Sequence, residues 1–360
     1  MRSMLLFLGI LSCLAPFYGL GGPVVGDSLL PVVVRENIRD EALLVDLAEV
    51  ETDYGKTGND RKALVRLLRM MKFRKAAREL RSGRGLMTGR SGSRLMKDLA
   101  GVLVRLKMYP LAMRCYHKAA DEGAAMDSGL AMDEGAPMDS DLYARLGEMD
   151  TTGLSLSERP GREIKSPPIA GPAIWGAFDD GKPAQSYALL VEVKQPIPGK
   201  RKSFSRINNV GHTFVTLIKY NTDNSYVSRS FGFYPQKATI FSGTPIHPGS
   251  PSVFKNDTLH DWDEVVGKFI SARKFQRIME IVKRYNLSMY NLNRNNCTSF
   301  GLNVALAGGI LIRDTQGTWP LGKGDNPGNA GQSILEGKIS DLDAEDKEAL
   351  FVRGYMALSW

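Results

Sequence analysis

Cys297 lies in the stretch YNLNRNNCTSF (Tyr290–Phe300), between an asparagine-rich polar turn and the apolar-periodic run SFGLNVALAGG. That context puts a thiol in the first turn of a helix, where unpaired backbone N–H groups and the helix dipole favour the thiolate. The same N–H groups, including that of Cys297, can hold the oxyanion of a tetrahedral intermediate. Two readings of Cys297 follow: a nucleophile made reactive by its helix end, or a small buried hydrophobe, as free cysteine often is. A nucleophilic thiol needs a base within hydrogen-bond reach, and the chain has only four histidines. His117 falls in a helical region, and His247 and His260 fall in a loop. His212 opens the strand of NNVGHTFVTLIKY, directly after Gly211, which removes bulk beside the ring. A strand-borne histidine facing a helix-tip cysteine is the geometry of a thiol–imidazole pair, so Cys297 and His212 are the expected catalytic couple. Cysteine occurs only at 13, 115 and 297, which is no disulfide framework. No Cys/His cluster has zinc spacing, so neither a metal nor a cofactor is expected.

The elements that must bring these residues together read as an α+β domain over residues 173–340, strands first and helices after. Tyr187–Val193 is β-rich, and VGHTFVTLIKY and SYVSRSFGFYP flank the turn NTDN as a hairpin. After a Pro/Ser/Gly-rich loop, DWDEVVGKFISARKFQRIMEIVKRY is expected as one long helix. Asp261 or Asp263 would cap it, and Val265, Phe269, Phe275, Ile278 and Ile281 or Val282 would face inward. The Cys297 helix follows and stops at Gly308 and Gly309. GTWPLGKGDNPGNAGQSI carries Lys323 but lacks phosphate-loop spacing. It reads as an irregular loop lining a cleft with Trp319, and residues 341–360 read as a tail.

GHTFVTL, then FGFYP, then a helix and NNCTSFGLNVALAGG resembles the circularly permuted form of the papain-like amidase fold. That superfamily includes bacterial cell-wall cysteine peptidases and lecithin retinol acyltransferase-like enzymes. The resemblance covers roughly Ser186 to Ile310 and implies an antiparallel sheet with packed helices, carrying a thiol hydrolase or acyltransferase of amides or esters. Carried over by position, Cys297 is the nucleophile and His212 the general base. Thr298 and Ser299 donate first-turn N–H groups, with Asn296 beside them and Tyr290 a further oxyanion donor or a packed ring. Such enzymes usually orient the imidazole with a polar residue on the strand after the histidine, where this chain offers Ser230, Tyr234 and Arg229. If NTDN closes the hairpin symmetrically, residue pairs sum to 445, setting His212 opposite Phe233. Arg229 then shares the face of His212, and Ser230 and Tyr234 point away.

Upstream, MRSMLLFLGILSCLAPFYGLGG reads as an export signal over residues 1–22, with Arg2 before an apolar run from Met4 to Leu20. ILSC is a poor copy of a lipoprotein cleavage box, which leaves lipidation at Cys13 as the minor reading. Residues 28–120 form a basic helical region whose helix at Asp60–Leu80 precedes the glycine- and serine-rich RSGRGLMTGRSGS. Residues 93–122 resemble one tetratricopeptide unit, with Met96, Leu99, Ala100 and Leu103 on its first helix and Ala112, Tyr116 and Ala119 on its second. One such unit cannot bury its own face, so the preceding helix is expected to cover it. Between Arg61 and Ala120 there are 17 Lys and Arg against Glu79 and Asp98 alone. Aromatic residues are sparse among these charges (Phe73, Tyr109 and Tyr116), too few for the stacking surface that a nucleic acid requires, so nucleic acid is not expected. A solvated face, an anionic membrane surface and a docked protein partner remain. Residues 121–172, with Met-Asp repeated at Met126, Met132 and Met138, read as an acidic Gly/Pro-rich linker. The whole predicts an exported cysteine hydrolase for a peptide or lipid-ester substrate of the cell envelope. The alternative is a catalytically silent binding module on the same fold.

Overall fold

Strands that read as nearly unbroken apolar runs must be covered on both faces, and SYALLVEVK and HTFVTLIKY are such strands. A computed structural model describes most of residues 97–127, together with 166–204, 210–236, 242–344 and 349–354. The expected export segment, Cys13, the helix at 60–80 and most of the expected linker lie outside the described residues. Helical residues between 97 and 105 lead into α1 (Tyr109–Asp127). Then come β1 (Pro168–Ile169), α2 (Gly171–Trp175), β2 (Ala184–Lys194), β3 (His212–Asn221) and β4 (Tyr226–Pro235). Next are β5 (Gly249–Ser250), β6 (Ser252–Asn256), β7 (Glu264–Ile270), α3 (Ala272–Asn286), β8 (Tyr290–Asn291) and α4 (Cys297–Gly308). The chain closes with β9 (Ile310–Ile312), β10 (Gln316–Trp319), β11 (Gly322–Asp325), α5 (Pro327–Leu335), β12 (Ile339–Asp341) and β13 (Phe351–Arg353).

The fold is α+β around one seven-stranded antiparallel sheet of order β1-β6-β4-β3-β2-β7-β13. Alternation along β2 splits its side chains between two cores. Leu189, Val191 and Val193 meet α3, α4 and α5, whereas Ala188 and Leu190 face α1. The helical unit upstream is therefore covered by the sheet. Leu103, Ala112, Met113, Cys115 and Ala119 pack on Phe214, Ile218, Tyr220, Val265 and Phe351. Tyr220 also donates its hydroxyl to the Pro110 carbonyl at 2.8 Å. Among the described residues no helix is long and apolar enough to cross a membrane.

Several element boundaries differ from those read in the sequence. The expected helix from Asp261 is strand β7 followed by α3, because EVVGKFI pairs with β2 on one side and β13 on the other. Gly267 there faces the Leu189 carbonyl so closely that a Cβ would lie 2.8 Å from it. Ser271, not Asp261 or Asp263, caps the helix, accepting from Lys274 N–H. Phe275, Ile278, Ile281 and Val282 form its buried face. The expected linker is shorter than residues 121–172, since α1 runs to Asp127 and Pro168–Ile169 already pairs with β6. The expected irregular loop is hairpin β10–β11 followed by α5, whose cap is Asn326. Part of the expected tail is structural: Phe351–Arg353 is the edge strand beside β7.

The hairpin register is off by one from the symmetric closure. Phe214 pairs with Gly232 and Leu217 with Arg229, sums of 446 rather than 445. The cause is a three-residue turn, with Asn221 N–H donating to Ser225 O and Asn224 at φ 65°. A left-handed third loop residue is how such three-residue hairpins close. Every pairing shifts by one residue, which moves each β4 side chain to the other face relative to the expectation.

The helix bearing Cys297 is anchored by Phe300, fully buried among Phe231, Phe233, Phe254 and Tyr285 at ring separations of 5.0–6.1 Å. Phe300→Ala is expected to lower unfolding stability by about 3–5 kcal/mol, measured by urea denaturation.

Candidate active site

Asn296 builds the helix end. Its side-chain oxygen accepts from the N–H of Thr298 (2.8 Å) and Ser299 (3.0 Å), and the Ser299 hydroxyl accepts from Asn296 N–H in return. The Asn296 amide donates to the carbonyls of Leu292 and Asp325, both at 2.8 Å, which ties the cap to the preceding turn and to β11. Cys297, the first residue of α4, is 8% exposed, so its sulfur faces a nearly dry environment.

The thiol meets the end of β3. The β3–β4 ladder stops at Phe214–Gly232, and the backbone of Thr213, one residue beyond, lies beside the Cys297 sulfur and favours its negative charge. His212 and the same sulfur are close enough to couple electrostatically, each shifting the other's titration. Nε2 of His212 lies 3.0 Å from Oδ2 of Asp257, leaving the other ring nitrogen for the thiol. Asp257 is fully buried, and its Oδ1 accepts from the hydroxyls of Tyr234 (2.7 Å) and Ser166 (2.5 Å). A carboxylate taking three donors is held ionised and fixed in orientation, so Nε2 of His212 carries the proton facing it.

Gly232 makes this chain of contacts sterically feasible. His212 is on β3 and Asp257 follows β6, with β4 between them in the sheet. A Cβ on Gly232 would sit 2.4 Å from both Nε2 of His212 and Oδ2 of Asp257. Residues 257–263 then cross over β4, β3 and β2 to enter β7. On the way the His260 ring approaches the rings of His212 (5.0 Å) and Phe214 (5.3 Å). Tyr234 closes the imidazole's other side at 4.2 Å.

The electrostatics follow from this geometry. Burial alone would raise the Asp257 carboxyl, but the facing imidazole and the Ser166 hydroxyl hold its pKa below the ordinary value. Burial would lower that of His212, but the charge and hydrogen bond of Asp257, and then Cys297, raise it instead. Burial would raise the Cys297 thiol, but the His212 hydrogen bond and charge, Thr213 N–H and Thr298 pull it below the ordinary value. Cys115 is the contrast: buried among apolar groups, its thiol is pushed up to about 12. The arrangement favours a thiolate–imidazolium pair, with Asp257 balancing the second charge.

The other expected site residues fall as follows. Thr298 and Ser299 do not offer their N–H groups to an oxyanion, because Asn296 has taken both. The Cys297 N–H is the first-turn donor this cap leaves. Thr298 instead bonds Thr213 through its hydroxyl at 3.2 Å. Tyr290 packs its ring on Phe233 at 5.6 Å, and burial, with Cys297 nearby, raises its phenol and keeps it neutral. Arg229 lies on the face opposite His212 and bonds the Ser228 carbonyl. Ser230 is on the face of His212 but bonds Thr216, whose hydroxyl donates to buried Glu192. Tyr234 reaches the imidazole only through Asp257 and by ring contact. None of the three is the direct partner of the imidazole; that residue is Asp257. Gly211 serves the backbone rather than the ring, at φ 71° against the Lys194 carbonyl.

Sequence reasoning missed Asp257 together with β6, since SVFKN was taken as loop. The signal present was the alternation of Val253 and Lys255 with buried Phe254, ending in the turn-forming Asn-Asp pair. No family model matches this chain, and comparison with curated proteins and with solved structures returned no match either.

Reactivity of the thiol reports on the pair. Asp257→Asn removes the charge that retains the imidazolium proton, so the imidazole pKa falls and the thiol pKa rises. The acid limb of Cys297 alkylation by iodoacetamide then moves to higher pH, with the rate near pH 6 down about tenfold. Gly232→Ala, which wedges a methyl between His212 and Asp257, is expected to move the limb the same way. Peptide mass spectrometry separates Cys297 from inert Cys115.

Proposed function

We propose that this chain is a thiol-dependent hydrolase of amides or esters, built on a circularly permuted papain-like fold. One observation carries the reading: a cysteine in the first turn of a helix is coupled to a histidine whose Nε2 is held by a buried carboxylate. The chain order, histidine strand before cysteine helix, agrees with the permuted form. The apolar run behind Arg2 supports export and a cell-envelope substrate, either a peptide crosslink or a lipid ester.

In the first step the Cys297 thiolate attacks the carbonyl carbon, forming a C–S bond while the carbonyl π electrons move to oxygen. The Cys297 N–H at the helix end stabilises that oxyanion. Collapse of the intermediate breaks the C–N or C–O bond, and His212 gives its proton to the leaving amine or alkoxide. In the second step His212 takes a proton from water, whose oxygen attacks the thioester and releases the acid and the thiolate. An alcohol or amine in place of water makes the same site an acyltransferase. Asp257 keeps the ring oriented and its charge balanced throughout.

A p-nitrophenyl ester series, with peptide amides beside it, tests the reading. Intact-mass analysis is expected to catch an acyl group on Cys297. Cys297→Ala and His212→Ala are each expected to lower turnover by about 10³-fold or more. A Cys297 that neither acylates nor alkylates faster than an ordinary thiol leaves the fold as a binding module.

A further inference from the structure

The segment carrying Asp257 is a strap. Residues 257–263 leave β6 and enter β7, with β4, β3 and β2 between those strands. Four inter-strand steps span about 19 Å, and seven residues reach at most about 25 Å, so the strap has little slack. Its near end is the triad carboxylate and its far end is fixed by Asp263, which bonds Gln195 N–H (2.8 Å) and Lys194 (2.9 Å).

Between these ends the strap is held by the helical pair packed over it. The Lys107 ammonium donates to the Leu259 carbonyl at 2.5 Å and pairs with Asp261 at 3.2 Å. The Arg105 guanidinium donates to the carbonyls of Trp262 (3.2 Å) and Asp263 (3.5 Å) and lies 3.9 Å over the Trp262 ring. Lys107 stands at φ 59°, a conformation that favours glycine, in the turn before α1. A lysine kept at that position carries its side chain at the expense of backbone comfort, and the side chain ends on the strap.

We propose that this helical pair is a positioning element of the site: Lys107 and Arg105 clamp the strap to the sheet and so keep Asp257 at bonding distance from His212. The proposal rests on the Cys297–His212–Asp257 reading above. It gives the upstream helices a task inside the same body, beyond packing on the sheet.

Lys107→Gly separates the clamp from the turn, because glycine adopts the positive φ freely and a purely structural turn would be unharmed or improved. Asp261→Asn, at a side chain 73% exposed, weakens the clamp with little risk to folding. Cys297 alkylation is followed on the full chain between about pH 5 and 9, with thermal unfolding alongside. Lys107→Gly is expected to slow alkylation near pH 6 by about threefold or more and shift the acid limb toward the free-thiol value. Its unfolding midpoint should not fall, and Asp261→Asn should give a smaller shift of the same sign. If the profile responds to His212→Ala and Asp257→Asn but not to Lys107→Gly or Asp261→Asn, the clamp is overturned and the triad stands. If it responds to none of the four, the triad reading falls and the clamp with it.

Discussion

The site depends on one hydrogen bond made across a strand. His212 on β3 reaches the carboxylate of Asp257 beyond β4, and it does so through space that any side chain at position 232 would fill. The electrostatics of the thiol follow from that bond. With Asp257 ionised beside it, the buried imidazole retains a proton that burial would otherwise strip, and that proton favours the thiolate form of the sulfur. Cys115 shows the outcome without such a partner, a thiol of ordinary chemistry made more inert by its surroundings.

The same economy shapes the helix end. Asn296 satisfies two of the orphan N–H groups of α4 and anchors the turn before it through its own amide. That fixes the sulfur's position to within the play of one well-capped turn. It also leaves the N–H of Cys297 as the first-turn donor that the cap does not take. Positional rigidity and donor number compete here, and the cap has settled the balance toward rigidity.

Much of this was legible in the residues. The helix-tip cysteine, the strand-opening histidine and the hairpin between β3 and β4 were all carried by short-range patterns: an apolar period after NNC, and β-rich runs around a polar turn. What failed required long-range pairing or a single residue of turn geometry. EVVGKFI is compatible with a helix until β2 and β13 are known to flank it, so tertiary pairing overrode the local reading. The hairpin shift came from one residue, Asn224, adopting the left-handed region. That residue reversed which of Arg229, Ser230 and Tyr234 share a face with the imidazole. Asp257 was hidden because nothing in KNDTLHDW marks an acid as the partner of His212; that contact comes from where β6 ends relative to β3.

The described residues on either side of positions 128–165, α1 and Ser166, both belong to the packed body. Ser166 bonds the Asp257 carboxylate directly, and α1 is seated on the sheet by a buried apolar face. A chain cut between Asp127 and Ser166 would therefore yield two polypeptides that remain one particle, held by the buried helix–sheet face and by the contacts of Arg105 and Lys107 with the strap.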